Sequence, residues 1–210
     1  MHTIVTIARQ FGSGGRQVGI ELAQRCGIPF YDKELLEIAK QNSDLHPDVL
    51  EAADEKANNS LLYALATGSY LNVGRLMGAT EPPVNDQLFF LQSDAIRKLA
   101  DAGPCVIVGR CSDYVLREHP RAAHVFLHAP LESRKQRIQR LYDLTADQAE
   151  ARILRTDKQR SNYYYYYTDR KWGRAAQYDL VINTAATGVD GAVDVIVQFV
   201  ECLEKRHSPL

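Results

Sequence analysis

Apolar residues along the chain follow two different periods. Five short runs, TIVTIA (3–8), IPFYD (28–32), PCVIVG (104–109), AAHVFLHA (122–129) and DLVINT (179–184), have mostly continuous apolar cores rather than strict alternations. Such cores suit strands covered on both faces. Between them the apolar positions recur at helical spacing. Val18, Leu22 and Ala23 do so in one segment, and Val189, Val193, Ile196, Val197, Val200 and Leu203 in the last. Strands alternating with helices predict a parallel sheet wrapped by helices, an α/β fold of about five strands.

The element boundaries carry their own signals. Pro130 opens LESRKQRIQRL as a first-turn proline, and Thr145 with Gln148 makes a capping-box pattern before AEARILRTDKQR. GATEPPVND, residues 78–86, has linker chemistry and closes a mostly helical insertion that begins near residue 33. YYYYY at 163–167 reads as a helix face packed on the body of the protein or on a second subunit in a homodimer, with the opposite face wet. The rival reading is a set of rings that stack on nucleobases.

Composition narrows the function classes. The chain has 210 residues and a formal net charge of −1, so nothing global attracts nucleic acid or an anionic membrane. The longest apolar stretches, CVIV and LVIN, are far too short to span a bilayer, and the N-terminus lacks a charged segment followed by a long apolar core. The chain reads as one cytoplasmic domain. Cys26, Cys105, Cys111 and Cys202 make no CxxC pair and read as small apolar residues. His124 and His128 lie four apart in HVFLH, a strand context that does not place both rings on one metal.

Candidate chemistry sits after the strands, because open parallel sheets bind ligands beyond their carboxyl ends. The loop after the first run, ARQFGSGGR, brings Gly12, Gly14 and Gly15 close together where backbone amides and a helix N-terminus could hold phosphate. A tight strand-to-helix turn would use the same glycines. Arginines favour the phosphate reading: Arg9 and Arg16 flank the loop, Arg110 follows the third run, and Arg134 and Arg137 lie on the helix after the fourth. Arg155, Arg160, Arg170 and Arg174 precede the fifth. Guanidinium groups stay charged and bind phosphate oxygens in pairs.

Together IARQFGSGGRQVGIELAQRCGIPFYD, CVIVGRCSDYVL, HVFLHAPLESRKQRI, RTDKQRSNYYYYY and YDLVINT resemble the cytidylate kinase-like family, in the P-loop nucleoside monophosphate kinase group. The resemblance implies a three-layer P-loop fold with core 1–32, 86–142 and 178–206, a helical acceptor-binding insertion 33–85, and a lid 143–177. It implies ATP with Mg2+, and a nucleotide or other small phosphorylated acceptor, as ligands. By position, Arg9, Gly12, Ser13, Gly14, Gly15, Arg16 and Gln17 would bind the donor nucleotide. Arg110, Arg134 and Asp157 would hold the acceptor; Arg16, Arg155 and Arg160 would neutralise developing charge; Asp32 would orient the metal through water.

The departures are concentrated in the loop. Arg9 stands at its opening glycine, Gly15 at its lysine, and neither Arg16 nor Gln17 has the hydroxyl that helps hold magnesium. Cys111 replaces the aspartate after Arg110, and Lys33, Glu34 and Ile38 replace acceptor-site residues, which argues against cytidine monophosphate as the acceptor. Arg16, or Arg9 folding back over the loop, is expected to supply the missing charge. Three readings follow: a phosphotransferase, a catalytically silent nucleotide-binding or sensory domain, and an anion-binding scaffold.

Overall fold

A computed structural model describes residues 1–32 and 84–207. The predicted insertion, the linker up to residue 83, and Lys33, Glu34 and Ile38 lie outside the described residues. The chain divides into two units, one formed by residues 1–32 and 96–210 and the other by 33–95. All five predicted strands form: β1 (Ile4–Arg9), β2 (Phe30–Tyr31), β3 (Val106–Val108), β4 (Ala122–His128) and β5 (Leu180–Asn183). They make one wholly parallel sheet in the order β2-β3-β1-β4-β5. The helices are α1 (Gly15–Cys26), α2 (Val84–Ala102), α3 (Ser112–Val115), α4 (Leu131–Tyr142), α5 (Ala146–Thr168) and α6 (Thr184–His207).

Register explains the layers. Val5 pairs with Val106 and Ala123, and Ile7 with Val108 and Val125, so these residues share one face of the sheet. That face packs on Val18, Leu22 and Ala23 of α1 and on Ala192, Val193, Ile196 and Val200 of α6. Each fully buried aliphatic side chain there stabilises the fold by about 1.5–3 kcal/mol. The opposite face presents Thr6, Ala8, His124 and Phe126. Ala8 and Phe126 pack on Tyr178 and Trp172, and the Thr6 hydroxyl lies 2.8 Å from His124 Nδ1. His124 is thus a sheet residue, as its strand context predicts.

Most local signals act as expected. Thr145 accepts from the Gln148 amide, and the Gln148 side chain accepts from the Thr145 amide, completing the capping box of α5. Pro130, expected in the first turn of α4, is instead its N-cap residue. Helix α6 is broken at Gly188, whose φ of 71° suits only glycine. In the tyrosine run, Tyr164 is 3% exposed and Tyr165 61%, so the helix has one face in and one out. Among the described residues no helix is long and apolar enough to cross a membrane.

Candidate phosphate-binding site

β1 is the central strand, and the loop at its carboxyl end is held from below. The Gln10 amide donates to Leu127 O at 2.9 Å, and Gln10 Oε1 accepts from the Ala129 amide at 3.2 Å, tying the loop to β4. Ser13 is buried, and both its hydroxyl and its amide donate to Gln10 O. The Thr184 hydroxyl donates to Ser13 O at 2.7 Å, linking the loop to the start of α6. Gly12 and Gly14, with φ of 82° and 83°, make the left-handed turns that feed the chain into α1. Gly14 caps that helix without any side-chain hydrogen bond. The first amides of α1 therefore face the loop without an intrahelical partner, which is the arrangement that binds anions. Ser13 shapes this loop, whereas Gln17 turns outward to Glu21.

Arg9 occupies the centre. Because side chains alternate along a strand, Arg9 leaves β1 on the same face as Val5 and Ile7, the face on which α1 begins. Its stem runs directly over Gly15: a Cβ at Gly15 would lie 2.6 Å from Arg9 Cβ and 2.7 Å from Arg9 Cγ. The guanidinium then reaches Gly109 at the end of β3, where an added Cβ would lie 2.0 Å from Arg9 Nη1. Gly15 is small because the Arg9 stem fills its space, whereas Gly109, with a φ of 80°, takes a left-handed conformation that favours glycine. Its Nη2 lies 3.5 Å from Asp32 Oδ1, and Arg16 Nε lies 3.2 Å from Asp32 Oδ2. Burial first, then the Arg160 charge, pulls the Arg9 guanidinium down to about 9; Asp32 opposes this and Arg110 adds to it. Arg9 remains protonated at neutral pH. Several cations share one carboxylate, and an arriving anion relieves their repulsion.

Arg110 joins this cluster through an unusual backbone. Gly109, Arg110 and Cys111 have consecutive positive φ values of 80°, 57° and 54°. For the two non-glycine residues that conformation costs on the order of 1–2 kcal/mol each. The turn brings Arg110 within electrostatic range of Arg9. Cys111 is buried, which pushes its thiol well above the ordinary value.

Helices α4 and α5 supply a brace and two more cations. Arg134 is buried: its Nε donates to Ala129 O, and its Nη1 to Phe11 O at 3.2 Å and to Asp157 Oδ2 at 2.6 Å. Asp157 Oδ1 accepts the Phe11 amide at 2.7 Å. Arg134 and Asp157, expected to hold the acceptor, are thus engaged with each other and with the loop backbone. Arg160, one helical turn on, donates to Arg9 O at 2.9 Å, and burial lowers its guanidinium against Asp157 and Asp32. The Phe11 ring lies under Arg152 and Arg160, at 5.7 and 5.6 Å. Arg137 has its guanidinium over Gly14, where an added Cβ would lie 2.1 Å from Nη1, and it makes no hydrogen bond or ion pair among the described residues. Arg155 is exposed on another face of α5.

Sequence reading grouped Arg134 with Arg137 but could not assign their depths. It also passed over Arg152, whose signal is its spacing of eight from Arg160, two helical turns along one face.

The residues at the expected magnesium position do not fit a metal. Asp32 is 12% exposed and faces Arg9 and Arg16, and the loop position that would carry a hydroxyl is Arg16 itself. Among the described residues no three His, Cys, Asp or Glu side chains gather as a metal cluster. Asp113 is buried and accepts the Tyr164 hydroxyl at 2.8 Å, with burial raising its carboxyl above the usual range.

This geometry can hold a chain of phosphates on amides and guanidinium groups. An uncharacterized protein from Eubacterium ventriosum superposes with a TM-score of 0.71 at 26% identity, over 95% of this chain and 98% of its own. A shikimate kinase from Bacteroides thetaiotaomicron superposes at 0.55 and 13% identity, covering 96% and 99%. A gluconokinase from Sinorhizobium meliloti does so at 0.52 and 16%, covering 98% of each. The fold is therefore that of the P-loop kinases. Among curated proteins none matches the sequence. The model of the cytidylate kinase-like family matches residues 4–186, from β1 through the phosphate loop, Arg110 and the Asp157–Arg160 turn to β5, and the chain belongs to that family.

Proposed function

We propose that the chain is a phosphotransferase that binds ATP at the loop and passes its terminal phosphoryl group to a nucleoside monophosphate or another small acceptor. The amides of Gly14, Gly15 and Arg16 cradle the donor phosphates. Arg9 takes over from the absent lysine, and Arg16, Arg137 and Arg160 add positive charge around it. Arg110 faces the acceptor, and Arg155 belongs to the part of α5 that meets solvent. Arg134 and Asp157 serve both subsites by fixing Phe11 and so the loop.

One observation carries this reading: the Arg9 stem lies over Gly15, the position at which a phosphate loop carries its lysine. Phosphoryl transfer asks a protein for positioning and charge stabilisation rather than covalent chemistry, so a guanidinium can replace an ammonium in principle. Calorimetry with ATP tests it. Replacing Arg9→Ala removes a charge-assisted contact of about 1.5–3 kcal/mol and lowers ATP affinity by roughly tenfold or more. An unchanged affinity removes Arg9 from the role.

The second reading has its own observation, the loss of both the lysine and the hydroxyl from the loop. ATP binding without transfer to any of a panel of nucleoside monophosphates and small hydroxylated acceptors identifies a catalytically silent nucleotide-binding or sensory domain.

A further inference from the structure

We infer that this site takes its polyphosphate free of magnesium, with the Arg16–Asp32 ion pair lying at the sequence positions where a phosphate-loop enzyme recruits its metal. The inference rests on the proposed binding of phosphates at the loop and concerns the ionic form of the ligand.

The first support is the state of Asp32. Its two oxygens face Arg9 Nη2 at 3.5 Å and Arg16 Nε at 3.2 Å, and little of the side chain meets solvent. A divalent ion could reach this carboxylate only by displacing the guanidinium groups of Arg9 and Arg16, and it would then lie against them. Phosphate-loop enzymes place a Ser or Thr hydroxyl on the ion at the position held here by Arg16. A cation at that point, in the first turn of α1, also opposes the helix dipole. The arrangement makes sense where a strongly anionic ligand completes it.

The second support is the supply of positive charge. Arg9 spans Gly15 and Gly109, Arg137 lies over Gly14 without an ion pair among the described residues, and Arg160 is bonded to Arg9 O. Magnesium ordinarily neutralises the phosphate charge that these side chains already address. A magnesium-complexed triphosphate brings two fewer negative charges to these guanidinium groups, and a doubly charged ion close to them. The free polyphosphate is the better electrostatic partner.

The test is calorimetric titration of the full chain with ATP and, separately, with inorganic tripolyphosphate, in excess EDTA and in excess MgCl2 at matched ionic strength. The expected result is tighter binding in EDTA, on the order of tenfold, for both ligands. In Arg16→Thr, which restores a hydroxyl and frees one side of Asp32, the preference is expected to shrink or reverse. Binding that is tighter in magnesium for the unaltered chain overturns the inference, whatever the variant does. ATP binding no better than tripolyphosphate in EDTA counts against the nucleotide reading while leaving the metal-free preference standing. No binding by either ligand in either medium overturns both.

Discussion

At the scale of single residues, the loop has exchanged two side chains in a coupled way. Arg9 stands at the opening glycine and Gly15 at the lysine, and the two occupy one volume, since an added Cβ at Gly15 would meet the Arg9 stem near its root, where it cannot swing aside. Gly15 has no positive φ, so its smallness answers to sterics rather than backbone conformation. Gly15→Ala is therefore expected to destabilise the chain by about 1–3 kcal/mol, the usual cost of overpacking. Arg9→Gly with Gly15→Lys should restore a loop of the ordinary kind, and the pair should be far less costly than the two single changes summed. Urea denaturation of the four members of this cycle measures the coupling. Additivity would mean that the two positions do not share space. The sequence shows both departures and offers Arg9 folding back over the loop as one of two sources of charge, but the shared volume is visible only in the structure; strand parity, with Arg9 two residues beyond Ile7, already sends it toward α1.

At the scale of elements, the strands and caps were legible because they depend on local chemistry. TIVTIA and AAHVFLHA read as buried strands from their continuous apolar cores, and Thr145 with Gln148 reads as a helix start from hydrogen-bonding capacity alone. Assignment of the arginines was not legible. Arg134 and Arg137 share a helix face by spacing, but how each meets the loop depends on where α4 packs, which no local pattern encodes. Arg134 meets Asp157 and becomes a brace, while Arg137 passes over Gly14. Arg155 and Arg160 divide in the same way, because five residues on a helix correspond to a rotation of more than a third of a turn. The brace makes a prediction of its own. Asp157→Ala leaves Arg134 charged and buried and takes the acceptor from the Phe11 amide, so it should cost about 3–5 kcal/mol in denaturant-induced unfolding. A loss below about 1 kcal/mol, the range of exposed ion pairs, would show that the brace is not holding the loop.

At the scale of the whole molecule, the electrostatics are local rather than global. A chain of net charge −1 has no long-range pull on anions, so attraction for phosphate must come from the guanidinium groups gathered at the carboxyl end of β1. That gathering costs stability in the ligand-free state: Arg9 and Arg160 are both held below their ordinary basicity by burial. Lowered basicity in the folded state means that the unfolded chain holds the proton more tightly, and for Arg9 the penalty is fully present at neutral pH and fades only as pH rises above about 9. A ligand that neutralises the cluster should return this free energy as thermal stability. Inorganic tripolyphosphate in EDTA, at a hundred times its dissociation constant, would contribute about 2.7 kcal/mol. In a chain of this length that corresponds to a rise in Tm of roughly 5–10 °C. Millimolar concentrations keep general salt effects small, and sodium chloride at equal ionic strength controls for them. In Arg9→Ala with Arg137→Ala the rise, measured from that variant's own ligand-free Tm, should largely vanish. A Tm rise of the same size in the double variant would move the anion site away from the loop.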